Sequence, residues 1–483
     1  MGVGGKTIRK VSGTSGLVGV GALVLVGCTT VGPDFTVPTL DSKAAVLSSP
    51  AELPAQHFDG RRRQYWWQSY GCENLNRMVQ LALDQNPTVD AARASLIQAA
   101  QTANALRDSL TLPTADAQLA QTRQRLSTAE FGLPGGQAYT FSLTNAAVNV
   151  SYPLDVFGGN RRRIETQEAQ REVQAHLWQA ARETLAANVV TTVVREAMLR
   201  AQIRATDDLV MAQREALELV RQRQALGALS LNELSQPETE LAQSLASRNV
   251  LEQQLDQVRH QLAAYMGQYP NQSALPQFTL TDLHLPEHVP TVVPSELVHQ
   301  RPDIRASEAQ WHAATANLGV TISGAYPDIT LNGSMGALAL TPGALFSPAS
   351  EVWSLGAGVV QPLFHGGALK AAERGARAAV DAAAAQYRQT VVDAFRSVAD
   401  VLGALNHDAD TLTTDQQAER SQQLTLKLTQ QQYQWGGVSY PVVLSARQQE
   451  AQQQLALAGA TGARLADTAA LYLALGAEDP FPQ

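Results

Sequence analysis

Few side chains in this chain have the type and spacing needed for covalent or acid–base chemistry. Of its two cysteines, Cys28 closes the tetrapeptide Leu25-Val26-Gly27-Cys28, where small residues precede a thiol just after an apolar run. That pattern resembles a lipobox, whose cysteine sulfur is alkylated by a diacylglycerol and becomes the new N-terminus. Lys6, Arg9 and Lys10 form a positive region and Gly16–Gly27 an apolar core, so residues 1–27 read as a lipoprotein signal peptide. An ordinary signal peptide that happens to contain a cysteine is the alternative. Cys72 then stands alone, which excludes a disulfide framework in an oxidising compartment and leaves a buried structural thiol. His284-Leu-Pro-Glu-His288 sets two histidines four apart, but Pro286 prevents the helical face that a metal would need. His-Glu-x-x-His, P-loop and Gly-x-Ser-x-Gly motifs are absent from the sequence. Catalytic residues, metal ligands and cofactors are therefore not expected, apart from covalent lipid on Cys28.

Composition points the same way. Charged residues make up 17% of 483, against roughly 25% in a typical soluble domain. Gln, Thr, Ser and Asn fill the difference, which suits long neutral helix faces or barrel walls. Net charge is -8, and loss of residues 1–27 removes three positive and no negative charges, leaving -11. Nucleic acid has no electrostatic footprint here. Thr29, rather than Asp, follows the lipobox cysteine, which favours the outer over the inner membrane.

The elements that would position a site form a duplicated pattern. Val150–Arg163 runs from a β-branched alternating stretch through Pro-Leu to Gly158-Gly159, and Val359–Lys370 repeats the plan through Gly366-Gly367. Pro87, Pro113 and Pro153 are spaced 26 and 40 apart; Pro302, Pro327 and Pro362 are spaced 25 and 35 apart. Thr102-Ala-Asn104 is echoed by Thr315-Ala-Asn317, and the spans Gly227–Gly267 and Gly436–Gly476 are both 40 residues. Period-two alternation at 115–120 and 139–144, and again at 329–336 and 353–359, predicts two β-hairpins. In the first, the alternation slips phase near Asn145-Ala146, which suggests a bulge. Residues 29–64 read as an extended tether leading away from Cys28. Helical periodicity covers Leu75–Leu83 and Thr88–Ser109. A 68-residue span from Gly159 to Gly227 would make a helix of roughly 100 Å, too long for a compact domain. Apolar stripes point to antiparallel helices packed side by side. Two hairpins give four strands, too few to close a barrel, and an open sheet edge is not tolerated in lipid. Several chains must then contribute to one barrel.

Taken together, these features resemble the TolC/OprM-like outer-membrane factors of tripartite efflux systems, in the NodT-type lipoprotein branch. Its carriers are Cys28 with Val31-Gly-Pro-Asp34, Trp66-Trp67, Ser151–Gly158 with Arg161-Arg162, Gln300–Arg305, Ala314–Val320 with Tyr326-Pro327, and Pro362–Gly367. The resemblance runs from the lipobox to Gly476. It implies a mainly α fold with a membrane β-barrel: a homotrimer with a 12-strand barrel and a 12-helix periplasmic α-barrel, two structural repeats per chain. The expected segments are a signal peptide (1–27), a lipidated tether (28–64) and equatorial helices of the first repeat (65–111). Hairpin 112–157 and tunnel helices 158–267 complete that repeat. A linker with helices (268–326), hairpin 327–363, tunnel helices 364–476 and a tail (477–483) follow.

The resemblance further implies passive export of drugs and small molecules, with a periplasmic adaptor protein, an inner-membrane RND pump and outer-membrane lipid as partners. The helix-pair tips at Gly227, Ala228 and Leu229 and at Gly436, Gly437 and Val438 are the expected adaptor contacts. Glu233 matches an acidic position of the periplasmic aperture, while Val442 and Ser445 stand where some members carry aspartates. The constriction is thus expected to be apolar at Val442 and Leu444. Glu233 has a second reading, as the closing residue of the capping box Ser230-Leu-Asn-Glu233. Ser439 with Pro441 reads as an N-cap and early Pro. Tyr139, Phe346 and Trp353 are candidates for an interfacial aromatic girdle, or for ordinary packing. The other readings are a TolC-like duct for protein secretion and a periplasmic coiled-coil scaffold without a pore.

Overall fold

The computed structural model describes residues 30–37, 47–48, 65–127, 138–228, 231–271, 275–285, 292–293 and 300–476. Cys28, Leu229, Ser230, His288, the hairpin loop 131–137 and the tail 477–483 lie outside the described residues. The chain forms two compact units. One comprises residues 1–36, 99–171 and 310–383; the other comprises 37–98, 172–309 and 384–483.

Helices α1 (Glu73–Gln85) and α2 (Pro87–Thr111) are separated by Asn86, whose extended backbone the following proline favours. A two-residue β1 (Leu47–Ser48) precedes α1, and strands β2 (Thr114–Ser127) and β3 (Ala138–Leu154) follow α2. Helix α3 (Gly159–Ala225) is 67 residues long and α4 (Leu231–Tyr265) 35. Beyond Gly159, α3 holds no glycine or proline and is rich in Ala, Gln, Glu and Arg, which favours an unbroken helix, while burial of Val189, Val193 and Ala197 holds its middle. After β4 (Val292–Val293), the second half repeats the order: α5 (Pro302–Ser323), β5 (Asp328–Ala339), β6 (Glu351–Val360), α6 (Ala368–Gln434) and α7 (Tyr440–Leu475).

The first unit holds a four-stranded antiparallel sheet in the order β2-β3-β5-β6. Pairing of β2 with β3 runs unbroken from Thr114↔Ser151 to Ser127↔Ala138, and pairing of β3 with β5 from Thr144↔Ala339 to Leu154↔Ile329. No bulge occurs at Asn145-Ala146, contrary to the sequence expectation. The phase slip has another cause, set by what each face of the sheet meets. The tether reading is also corrected at its start, because residues 30–35 are held against this unit through Arg162.

The second unit is built on an aromatic and aliphatic core. Trp66 stacks on Tyr472 with ring centroids 5.2 Å apart, and the buried Tyr70 hydroxyl donates to the Leu465 carbonyl at 2.8 Å. Leu75, Met78, Val193, Leu262 and Phe278 pack around them, with Cys72 buried and free. Glu196, fully buried, pairs with Arg200 at 2.8 Å and Arg259 at 2.7 Å. Arg259 also donates to the carbonyls of Leu275 and Pro276, tying the loop after α4 to α3.

Candidate functional site: an apolar sheet face and two helix tips

Register decides which side chains share a face of the sheet. Ala117, Val148, Met335 and Trp353 lie in one row across all four strands; Ala115, Val150, Gly333 and Leu355 lie in the next row on the same side. Leu119 (76% exposed), Met335 (63%), Trp353 (75%) and Leu355 (82%) leave this face bare. The opposite face at the same level carries Asp116, Asn149, Ser334 and Ser354. One face is thus a continuous apolar surface and the other polar.

On β3 the apolar row extends from Leu154 to Ala146, nine residues, or about 26 Å along the strand. A tilt of about 40° reduces this to about 20 Å, close to the lipid-facing band of membrane barrels. Strand β6 has 10 residues, within the span such a strand needs. Above that band the two faces exchange character: Arg123 and Arg125, with Ser142 and Thr140 opposite, replace the apolar row, and Phe141, Leu143 and Leu126 lie behind. This exchange produces the phase slip, since the strand stays regular while its surroundings change. It also corrects the girdle. Tyr139 pairs with Leu126 on the face opposite Trp353, so the two cannot belong to one aromatic ring. Phe346 is 93% exposed in the turn Pro342–Phe346, beyond the end of β5.

The helix pairs of the second unit turn in the same way. Gly227 and Gly436 both have φ +74. Each donates to a carbonyl three residues back, and the next residue to one five back: Ala228 to Arg223 at 2.9 Å, Gly437 to Gln432 at 2.8 Å. This double closure needs a left-handed residue, which glycine adopts without strain. Beside it the tips expose Leu226 (85%) and Trp435 (82%), and Gly227, Ala228, Gly436 and Gly437 are exposed as well.

Glu233, Leu444 and Ser445 come together around a recess of about 350 Å³, with Gln213, Arg223 and Pro441. Glu233, Val442 and Ser445 are exposed, but Leu444 is only 1% exposed. The expectation that Val442 and Leu444 line one constriction is therefore corrected. Residues two apart on a helix point about 200° apart, so Leu444 turns inward where Val442 turns outward. Val442 and Ser445, three apart, share a face. Ser439 stands at the N-cap of α7 but makes no capping hydrogen bond through its side chain.

A link that sequence reasoning missed ties α7 to α3. The Tyr440 hydroxyl donates to Glu215 Oε2 at 2.6 Å, and Arg447 Nη1 donates to the same oxygen at 3.2 Å. Tyr440 also packs on Tyr433, with ring centroids 5.3 Å apart. The hydrogen bond to Glu215, then burial, raises the phenol's pKa above its ordinary value, keeping the donor proton in place. Further along α7, burial and the neighbouring Asp408 carboxyl push the Asp467 carboxyl up to about 6.

Among the described residues, no cluster of His, Cys, Asp and Glu could hold a metal, and no helix is long and apolar enough to cross a membrane. A sheet with one bare apolar face, joined in sequence to two antiparallel helix pairs, defines the class: the chain of an outer-membrane channel. The family model for outer membrane efflux proteins matches residues 78–268 and 293–477, and the chain belongs to that family. The pyoverdine export outer membrane protein OpmQ of Pseudomonas putida is 28% identical over 460 residues, covering 94% of this chain and 95% of its own. The outer membrane protein OprJ of Pseudomonas aeruginosa is 27% identical over 464 residues, covering 95% of each chain. Among solved structures, the outer-membrane channel OprN superposes with a TM-score of 0.81 at 24% identity, covering 93% of this chain and 99% of its own. The open state of the Neisseria gonorrhoeae MtrE channel gives 0.80 at 23%, covering 93% and 98%. This chain is an outer-membrane component of efflux.

Proposed function

We propose that three copies of this chain assemble into a passive duct that carries drugs or other small molecules from a periplasm-spanning pump complex to the exterior. The observation that carries this reading is the four-stranded sheet with a bare apolar face, in which β2 and β6 are edges. Unpaired edges in lipid cost several kcal/mol per group, so the sheet must close on further copies. Three copies give twelve strands from the sheets and twelve tunnel helices from α3, α4, α6 and α7. A scaffold without a pore has no use for the apolar face. Names among the relatives, pyoverdine export for OpmQ and efflux pump for TtgC, favour small molecules over proteins as cargo.

The exposed tips at Gly227–Ala228 and Gly436–Gly437, with the half-buried Val438 beside them, are the surface for a periplasmic adaptor, through which an inner-membrane RND pump supplies the energy. Cys28 carries the lipid anchor. Glu233, Val442 and Ser445 face the aperture, held by the Tyr440–Glu215 link. The test is single-channel conductance of the purified protein in a planar bilayer, with its mass in detergent. A trimer with discrete openings is expected; a monomer, or a trimer that conducts under no condition, would overturn the reading. Fatty-acid labelling tests the anchor separately, and Cys28→Ser is expected to abolish it.

A further inference from the structure

The two repeats build the same junction, strand to Gly-Gly to long helix, but among the described residues only the first is occupied. At Gly366 and Gly367 an added Cβ would meet nothing within 4 Å. At Gly158 (φ +78) it would sit 2.5 Å from Thr30 Cγ2. Gly32 (φ +94) meets Gly319 so closely that a Cβ there would lie 2.6 Å from the Gly319 Cα, and one on Gly319 would lie 2.9 Å from Arg162 Cδ. By the Asn104/Asn317 echo, the residue matching Gly319 in the first-repeat helix is Leu106, and Lys370 matches Arg162. The fold therefore makes this junction without the glycine contacts, and their presence in one repeat has a separate purpose.

That purpose is legible in what they admit. Arg162 is only 3% exposed. Its Nε donates to the Val31 carbonyl at 3.2 Å, and its Nη2 to the Gly32 carbonyl at 3.3 Å and Asp34 Oδ1 at 2.6 Å. Nη1 donates to Glu165 Oε2 at 2.7 Å. Three of the four bonds thus go to the N-terminal peptide. The Val31 N–H donates in turn to the Phe157 carbonyl at 3.1 Å. Phe35 stacks on His312 with ring centroids 4.7 Å apart and meets Trp311 edge-on at 5.5 Å. His312 Nε2 lies 2.9 Å from Glu165 Oε1, so Glu165 joins the guanidinium site to the aromatic one. When the peptide departs, Arg162 keeps Glu165 but loses three of its four acceptors and the second carboxylate, so the pocket is built to be filled.

We propose that this pocket is a receptor for the chain's own N-terminal leader, Thr30–Phe35, and fixes the acylated cysteine at the rim of the sheet where the helices begin. Covalent reach allows at most about 7 Å between the Cα atoms of Thr30 and Cys28. The lipid and the apolar band would then enter the membrane in register, rather than joined by a slack tether. The inference rests on the lipoprotein reading of Cys28.

The test uses full-length protein purified from outer membranes, with a spin label on Thr36→Cys in a Cys72→Ser background. Fatty-acid labelling of the same preparations is measured in parallel. The label is expected to be immobilised in the otherwise unaltered chain. The peptide-side pair Asp34→Ala/Phe35→Ala and the pocket variant Arg162→Ala should each lose the immobilised component while keeping the fatty acid. The peptide-side pair leaves the body of the fold untouched, so it decides the matter should Arg162→Ala not fold. A mobile label in the unaltered chain, or an immobile one in every variant, would overturn the receptor. An immobile label on a protein without fatty acid would overturn the anchoring role and the lipoprotein reading together.

Discussion

Tyr440→Phe isolates one bond in the link between α7 and α3. The ring and its packing on Tyr433 are retained, and only the hydroxyl that donates to Glu215 at 2.6 Å is lost. Hydrogen bonds to charged groups contribute about 1.5–3 kcal/mol. The Glu215 side chain is 44% exposed, so solvent screening lowers this to about 1 kcal/mol per chain. In a trimer whose tips open together the losses add to about 3 kcal/mol, or about a hundredfold shift between closed and open states at 1.4 kcal/mol per tenfold. Arg447 still holds Glu215 at 3.2 Å in this variant, so Tyr440→Phe/Arg447→Ala should open further than either change alone. The assay is open probability in a planar bilayer at fixed voltage, with thermal unfolding as the control for packing. Unchanged open probability in both the single and the double variant would refute the latch.

Other outcomes follow from burial and charge. Leu355→Arg, on the bare face, should reduce assembly into the outer membrane, since an Arg facing lipid at mid-depth costs about 2–4 kcal/mol; Ser354→Arg, one residue away on the polar face, should assemble normally by fractionation. Leu444→Ala removes a side chain only 1% exposed and should destabilise the chain by about 2–5 kcal/mol in thermal or denaturant unfolding, whereas Val442→Gly should alter conductance with little loss of stability. Asp467, pushed up to about 6, binds its proton more tightly folded than unfolded. Native stability therefore falls as pH rises from about 4 through 6. Asp467→Asn should flatten that window and stabilise the protein at pH 7 by about 1 kcal/mol after discounting for partial exposure, as read by melting temperature against pH.

Much of this architecture was legible because its punctuation is chemical. Proline before a helix, glycine after one, and alternation along a strand act within a few residues, so helices such as α3 and hairpins such as β2–β3 could be read directly. What a face meets is not local. The exchange near Asn145 looked like a bulge because alternation shows which side chains share a face, never whether that face meets lipid, water or a neighbouring strand. Leu444 departs from expectation for a different reason: the angle around the helix, and not the distance from the turn, decides which way a side chain faces. Glu215 and Tyr440 are 225 residues apart, and nothing local in either segment announces the other.

The repeats carry the strongest lesson about sequence and use. Equal punctuation at Gly158-Gly159 and Gly366-Gly367 makes the two junctions look interchangeable, yet one seats the N-terminal peptide and the other meets none of the described residues within 4 Å of an added Cβ. The difference lies in single positions outside the repeated motif: Gly319 against Leu106, Arg162 against Lys370. A lysine ammonium at that depth could not place donors on two carbonyls and a carboxylate in one plane as a guanidinium does. A leucine on the facing helix would fill the space that Gly32 needs. Duplication thus supplies two copies of a junction, and departures from symmetry assign one of them a task.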